Sequence, residues 1–163
     1  MGFATNRSLA YSGIACSPSR WGIVGFVMSR PIVSRIESVD APKAVGPYSQ
    51  AVRAGDFLYV SGQIPLTKNG LLLNGSIEEQ SRQVMDNLRA VLQKAGCAFE
   101  NVVKTTIFLT DMGDFSKVNA VYASFLKEPF PARETVCVKS LPRGAAVEIS
   151  MIAYKPVRQA FER

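Results

Sequence analysis

Two charged residues stand at positions where a strand would usually carry apolar ones. Arg133 begins, after Phe130–Ala132, a run with the composition of a β-strand. Glu148 lies inside a second such run, Val147–Met151. A buried, unpaired carboxylate is costly, so it is usually paired, protonated or used in a reaction. The alternative is that Glu148 faces water on an exposed sheet face, and the spacing alone leaves both interpretations open.

The chain contains no histidine, which narrows the chemistry that these residues could do. Ser-His-Asp and Cys-His arrangements and histidine-ligated metal sites are excluded, so catalysis would use carboxylates, Arg, Lys, Tyr, Ser, Cys or backbone groups. The three cysteines, Cys16, Cys97 and Cys137, match no metal-binding spacing. We interpret them as reduced thiols of an intracellular protein, with Cys97 and Cys137 as small core residues.

The net charge of +6 is distributed unevenly along the 163 residues. Residues 1–36 contain Arg7, Arg20, Arg30 and Arg35 and no acidic residue. The rest of the chain holds 15 of the 19 basic groups and all 13 acidic groups, a net charge of only +2. A broad basic face for nucleic acid is therefore not expected. No apolar run reaches the about 18 residues that a membrane helix needs, so we expect no membrane partner.

The first 35 residues are predicted to be a segment separate from the domain at 36–163. This segment is rich in Ser, bears Arg and lacks acids, a composition typical of an organelle transit peptide. We expect import into the mitochondrion. A plastid is an alternative, as is the cytoplasm through an internal start at Met28, and so is a disordered extension without function.

Strand patterns occur at Ala51–Gly55, Phe57–Gly62 and Val102–Thr110, with one further candidate at Val33–Ile36. The two runs around Arg133 and Glu148 complete the set. A hairpin about Arg143-Gly144 is the simplest connection between those last two strands. It would pair Glu148 with Lys139 and leave roughly 20 Å between Glu148 and Arg133, so that they could share a substrate only across a subunit boundary or through a different strand order.

Two helices are predicted between these strands. Ser76 begins the first helix, Glu79 completes a capping box, and Gly96 ends it. Asp114 is predicted to cap the second helix. The apolar stripes are Ile77, Val84, Leu88, Val91, Leu92 and Ala95 in the first helix, and Phe115, Val118, Val121, Tyr122 and Phe125 in the second.

This order predicts an α+β fold, a single sheet with two helices on one face. We expect Val103, Ile107 and Leu109 on one side of their strand and Val102 and Phe108 on the other. Because two helices cannot cover both apolar faces, the second face is expected to meet another subunit in a closed homo-oligomer.

Five blocks of this chain, in order, form a recognisable set. They are Gly46–Ala51, Ser61–Pro65, Asp114-Phe115 with Val118-Asn119, Phe130–Arg133, and Leu141-Pro142 with Val147–Ile149. Together they closely resemble the reactive intermediate deaminase A family (RidA, also called YjgF-like). The resemblance spans about Ile36 to Tyr154, 119 of the 163 positions.

The resemblance implies a chorismate-mutase-like fold and a homotrimer with clefts between subunits. It also implies hydrolysis of 2-imino acids, such as 2-iminopropanoate and 2-iminobutanoate, to 2-oxo acids and ammonia, without a metal or cofactor. The expected partners are therefore small 2-imino and 2-oxo acids and further copies of the chain.

The same resemblance gives roles to single residues. Arg133 would hold the substrate carboxylate in its guanidinium fork, and Glu148 would activate water and protonate the departing amine. Tyr48, Ser61 and Asn119 would lie in the cleft and hydrogen-bond the substrate or water. Gly62 suits a close backbone approach. Thr135 stands where some members carry Cys and would act through its backbone.

Two other functions compete with this interpretation. A ribonuclease that inhibits translation would need a basic groove, which the nearly neutral domain does not favour. A non-catalytic small-molecule sensor would need Arg133 but not Glu148.

Overall fold

The computed structural model describes residues 33–156 of the chain. Apart from positions 33–35, which lie in the first strand, the predicted transit peptide is outside these residues. The strands are β1 (Val33–Ile36), β2 (Ala51–Ala54), β3 (Phe57–Gln63), β4 (Val102–Leu109), β5 (Ala132–Cys137) and β6 (Val147–Tyr154), and the helices are α1 (Ile77–Lys94) and α2 (Phe115–Ser124). The predicted element order, including the candidate strand at Val33–Ile36, is confirmed.

One sheet contains all six strands in the order β1-β2-β3-β6-β4-β5. Strand β4 pairs with β6 in antiparallel and with β5 in parallel orientation. The simple hairpin considered for the last two strands does not form, because β4 lies between them; the alternative of a different strand order is the one observed. The connection passes through a 3₁₀ turn at Pro142–Gly144. The Val138 N–H donates to the Leu109 carbonyl and the Thr110 N–H to the Ala146 carbonyl, so both ends of the connection are fixed to β4.

Helix α1 forms as the sequence predicts. The Ser76 hydroxyl accepts from the Glu79 N–H while the Glu79 carboxylate accepts from the Ser76 N–H. At the other end Gly96 has φ 69°, the left-handed conformation that ends helices and that glycine adopts without a steric penalty. The predicted stripe is buried except for the partly buried Ala95, and it covers one face of the sheet.

A β-bulge in β4 changes which side chains of this strand face the core. The pairing with β6 shifts between Val102 and Lys104, which gives the strand an extra residue there. Val102 consequently joins the core with Ile107 and Leu109, whereas Val103 is 44% exposed. The expectation that Val103 shares a side with Ile107 and Leu109 was therefore wrong, because simple alternation does not allow for a bulge.

Two smaller expectations also fail. Asp114 occupies the position before α2, but its side chain makes no capping hydrogen bond. Instead the Asp111 carboxylate accepts from the Gly113 N–H in the 3₁₀ turn that precedes the helix. Cys137 is exposed, since it ends the edge strand β5, while Cys97 is buried as predicted.

The sheet face that the helices do not cover carries apolar side chains. The exposed members on this open face are Val33, Phe57, Tyr59, Val103, Val136 and Tyr154. The rings of Phe57 and Tyr154 lie 5.2 Å apart, and those of Phe57 and Tyr59 6.4 Å apart.

Within residues 33–156, no helix is both long and apolar enough to cross a bilayer.

Candidate functional site

Strand pairing places Arg133 and Glu148 on opposite faces of the sheet. Arg133 is paired with Thr105, which is fully buried under the helices. Glu148 is paired with Phe108, an odd number of residues further along β4, and so it points to the open face. Three residues along β4 and two strand spacings separate their backbones by about 14 Å.

Glu148 lies in a cavity of about 370 Å³ beside the open face, which we name the Glu148 cavity. Of the predicted site residues, Tyr48, Ser61 and Gly62 line it too. The complete lining is Pro42, Lys43, Val45, Tyr48, Gln50, Ser61, Gly62, Gln63, Ile64, Leu66, Pro142, Arg143 and Glu148. Four of the seven predicted residues thus lie together.

The Glu148 carboxyl is held against the backbone of Gly62. A Cβ added to Gly62 would lie 1.9 Å from Glu148 Oε1, so this approach requires a residue without a side chain. Within residues 33–156 the carboxylate accepts no hydrogen bond, and burial raises the pKa of Glu148 above its usual range. A carboxyl group of raised pKa and without a hydrogen-bonding partner holds a proton more readily than an exposed glutamate, which suits it to proton transfer.

Buried hydrogen bonds shape the rim of this cavity. The Gln50 side chain, 3% exposed, donates to the Pro42 carbonyl and accepts from the Ser38 N–H. The Ser61 hydroxyl donates to the Ser49 carbonyl at 2.7 Å. The segment before β2 is thereby fixed against β3. Tyr48, 51% exposed, stands over the opening as an aromatic wall.

Arg133 is surrounded by three residues of α2. Its Nη1 donates to Asn119 Oδ1 at 2.7 Å. The guanidinium carbon lies 5.2 Å from the centre of the Tyr122 ring and 5.8 Å from that of Phe115, which are cation–π distances. A guanidinium has five N–H donors, so most of them remain available to a carboxylate, and the residue is exposed.

Tyr122 connects this arrangement to the core. Its side chain is buried, and its hydroxyl lies 3.1 Å from Thr105 Oγ1. Burial raises the pKa of Tyr122, which outweighs the lowering by the Thr105 hydrogen bond and by the Arg133 charge. The phenol therefore stays neutral, and its ring packs against the Arg133 guanidinium.

A second cavity, of about 380 Å³, opens beside Arg133, and we name it the Arg133 cavity. It is lined by Asn119, Tyr122, Ala123, Phe130, Pro131 and Arg133. Thr135 lies next to it, in a small crevice shared with Arg133 and Asn119. The Thr135 hydroxyl is buried and, among the described residues, has no hydrogen-bond partner. Three predicted residues, Arg133, Asn119 and Thr135, thus lie together and apart from Glu148.

Sequence reasoning did not identify several residues that the two cavities contain. Tyr122 of the Arg133 cavity, and Phe115 of the small crevice beside it, were predicted as helix core, since their spacing is that of an apolar stripe. Phe130 and Gln50 lie within matched blocks, but nothing in the sequence shows that one would wall the Arg133 cavity and the other brace the rim. Lys43 and Arg143 had no distinguishing pattern.

The described part of the chain has no group of three or more His, Cys, Asp and Glu side chains that could hold a metal ion. The chemical groups available are therefore a guanidinium with free donors, a carboxylate of raised pKa, and hydroxyl and amide groups around them. These can bind a small carboxylic acid and move a proton.

The fold and these two cavities define a class of protein, a single-sheet α+β domain with an exposed arginine beside one cavity and a half-buried carboxyl group in the other. The model of the endoribonuclease L-PSP family matches residues 38–155. The chain belongs to this family, which is the YjgF/RidA family, and the resemblance found in its sequence blocks is confirmed.

The relatives carry several names. A mouse protein named 2-iminobutanoate/2-iminopropanoate deaminase is 46% identical over 127 residues, which are 77% of this chain and 94% of the relative. A RutC family protein of Pyrococcus horikoshii is 49% identical over 117 residues, 71% of this chain and 93% of the relative. The crystal structure of Escherichia coli TdcF with bound serine superposes with a TM-score of 0.72 at 36% identity, covering 75% of this chain and 98% of that one.

Proposed function

We propose that this protein hydrolyses small reactive 2-imino acids, 2-iminopropanoate and 2-iminobutanoate, to the 2-oxo acids and ammonia. The observation that carries the proposal is the Glu148 carboxyl, which has a raised pKa and accepts no hydrogen bond within residues 33–156. A structural carboxylate would normally be paired. The exposed, oriented guanidinium of Arg133 and the deaminase name of a relative at 46% identity support it.

In this mechanism Arg133 binds the substrate carboxylate through two parallel N–H bonds. Glu148 takes a proton from water as the water oxygen bonds to C2, and the C=N electron pair moves to nitrogen. Glu148 then returns the proton to the amine of the tetrahedral intermediate. Glu148 next carries the hydroxyl proton to the same nitrogen as the C–N bond breaks, so that C=O forms and ammonia leaves, and the sum is imine plus water giving 2-oxo acid plus ammonia.

The opposite orientation of Arg133 and Glu148 supports a site shared between subunits. We propose a homotrimer in which the Arg133 cavity of one subunit faces the Glu148 cavity of the next. The exposed apolar side chains of the open face favour such an assembly. Light scattering should give three times the mass of the chain, and a stable, active monomer would contradict the proposal.

Mixing subunits tests the shared site more directly. Arg133→Ala and Glu148→Gln are each expected to be inactive alone. If the site is shared, trimers reassembled from both variants should regain part of the activity, because some interfaces then hold an intact Arg133 and an intact Glu148. No recovery, with mixed trimers demonstrated by mass, would refute the shared site.

The activity itself is tested by ammonia release from freshly generated 2-iminobutanoate. Glu148→Gln should lower the rate by the about 10²–10⁴-fold typical of a lost general base, with 2-oxobutanoate binding retained. Glu100→Gln is the matched control, since Glu100 is exposed and lines neither cavity.

A ribonuclease is the second candidate, because the matching family is described as endoribonuclease L-PSP. Incubation with RNA under the same conditions separates the two. Cleavage of RNA without ammonia release would replace the imine proposal. An unchanged rate in Glu148→Gln would show that Glu148 is structural, and the absence of both activities in the parent would favour a non-catalytic binding protein.

A further inference from the structure

The Glu148 cavity contains two cationic residues, Lys43 and Arg143, that the proposed mechanism does not use. A substrate with a single carboxylate is already matched by Arg133. The charges in this cavity therefore exceed what a 2-imino acid with a small apolar side chain requires.

The conformation of Arg143 is unusual. Its φ of 60° lies in the left-handed region, and no other residue of 33–156 except glycines has a positive φ. Non-glycine residues in this region are strained and concentrate at functional sites. Arg143 Nη1 donates to the Gly70 carbonyl at 2.8 Å, across 73 positions of sequence. The side chain is thus held at the cavity wall by one of its five N–H groups.

The remaining donors of Arg143 have no anionic partner in the described part of the chain. The ion pairs found there involve other residues, and neither Arg143 nor Lys43 takes part. Glu148 does not pair with them either, since no ion pair among the described residues joins its carboxylate to Lys43 or Arg143. An unpaired guanidinium fixed at the wall of a cavity is a binding group for a carboxylate.

We propose that Arg143 binds the side-chain carboxylate of dicarboxylic 2-imino acids, such as 2-iminosuccinate and 2-iminoglutarate, and so extends the substrate range of this chain. The inference rests on the proposed function. The reaction is unchanged: water adds at C2, ammonia leaves, and the side-chain carboxylate is neither formed nor consumed. Lys43, at the same cavity, adds positive charge that favours the dianion.

The test compares two imines on two variants. 2-Iminoglutarate and 2-iminobutanoate are generated from the amino acids by an oxidase, and semicarbazide traps the imine that the protein has not hydrolysed. Arg143→Asn is the informative variant, because Asn tolerates positive φ and the turn is retained. We expect kcat/KM for 2-iminoglutarate to fall about tenfold or more relative to that for 2-iminobutanoate, as for the loss of a charge-assisted hydrogen bond.

A control separates charge from loop position. The loop of residues 65–75 contains Gly70, which Arg143 contacts, and Lys68, whose Nζ lies 2.9 Å from Asp40 Oδ1. Asp40→Asn removes this ion pair but leaves the cavity charges unchanged. The ratio of kcat/KM for the two imines should therefore stay at the parent value. Equal losses on both imines in Arg143→Asn would mean that Arg143 only fastens the loop, and parent values of kcat/KM for both imines would also overturn the inference.

The outcomes for the parent protein distinguish the two proposals. Hydrolysis of 2-iminobutanoate without hydrolysis of 2-iminoglutarate refutes the dicarboxylate inference alone. If neither imine is hydrolysed, the proposed function fails, and calorimetric titration with 2-oxoglutarate then decides whether Arg143 binds a second carboxylate. Equal affinity of the parent and Arg143→Asn for 2-oxoglutarate would end the inference.

Discussion

Adding one methyl group at Gly62 should displace the Glu148 carboxyl without unfolding the protein. The Cβ of Gly62→Ala would lie 1.9 Å from Oε1, 2.8 Å from Cδ and 3.0 Å from Cγ of Glu148. Ordinary contact requires 3.4 Å or more, so the carboxyl oxygen has to move by about 1.5 Å. The atoms that clash are the far end of a flexible side chain, and a rotamer change can relieve them.

The effect on the reaction should be much larger than the effect on stability. Misplacing a catalytic group by about 1 Å can cost 10²-fold in rate, so Gly62→Ala should lose about two orders of magnitude in kcat for 2-iminobutanoate. Gly75→Ala is the matched control. Its Cβ would lie 2.5 Å from the Glu79 carboxylate, a similar clash with a flexible glutamate, but at the capping box of α1. It should disturb the start of α1 and leave kcat near the parent value.

A double-mutant cycle can refute this reasoning. If Gly62→Ala acts by displacing Glu148, it should have little further effect on kcat in a Glu148→Gln background, because the proton acceptor is already absent. Two full, multiplicative losses would show that Gly62 acts on the substrate or the backbone instead. A Gly62→Ala variant with the parent rate would show that the observed position of Glu148 is not the catalytic one.

Three further predictions follow from the same structure. Arg133→Ala and Arg133→Lys should each lower kcat/KM by the equivalent of about 2–5 kcal/mol, since an ammonium cannot form the fork; parent-level activity in the Lys variant would show that charge alone suffices. The pKa of Glu148 is raised in the folded state. Ionisation of its carboxyl group therefore lowers the free energy of unfolding progressively as pH rises above the usual value of 4.5, with the full effect above the folded-state pKa, and has no effect below 4.5. The stability gain of Glu148→Gln in denaturant titrations should thus grow as pH rises from 4 to 8, and a gain independent of pH would contradict the assigned cause. We propose that residues 1–36 direct mitochondrial import, so a fluorescent fusion should colocalise with mitochondria rather than stay diffuse in the cytosol.

The parts of the fold that depend on neighbouring residues could be predicted from the sequence. The capping box of α1 links Ser76 to Glu79, three positions apart, and the glycine that ends the helix is adjacent to its last turn. Strand order is different, because it depends on which edges meet after collapse. The sequence left the hairpin and a different strand order both open for this reason: β4 can pair along both edges, and the β5–β6 connection is long enough to pass around it.

The residue types of the candidate site could be predicted from the sequence, but their separation into two cavities could not. Arg133 and Glu148 stood out because charged residues interrupt strand patterns. Their separation follows from the parity of their partners on β4, Thr105 and Phe108, which no local pattern contains. The contact between Arg133 and Tyr122 was missed for a related reason. In the sequence, an aromatic residue of an apolar stripe has the same pattern whether or not a guanidinium packs against its ring.

The core itself fixes this separation. Bringing Glu148 to the helix face would require a one-residue slip of β6, and the period of a strand is two. Such a slip would turn Val147, Ile149 and Met151, at most 2% exposed, toward the open face and place Glu148 and Ser150 under α1. Burying each such aliphatic side chain contributes about 1.5–3 kcal/mol, so losing all three costs about 4.5–9 kcal/mol, a large part of the about 5–15 kcal/mol by which a typical domain is stable. Uniting Arg133 and Glu148 in one chain by such a slip is therefore strongly disfavoured, and under the proposed function a contact between copies of the chain is the arrangement that leaves the core intact.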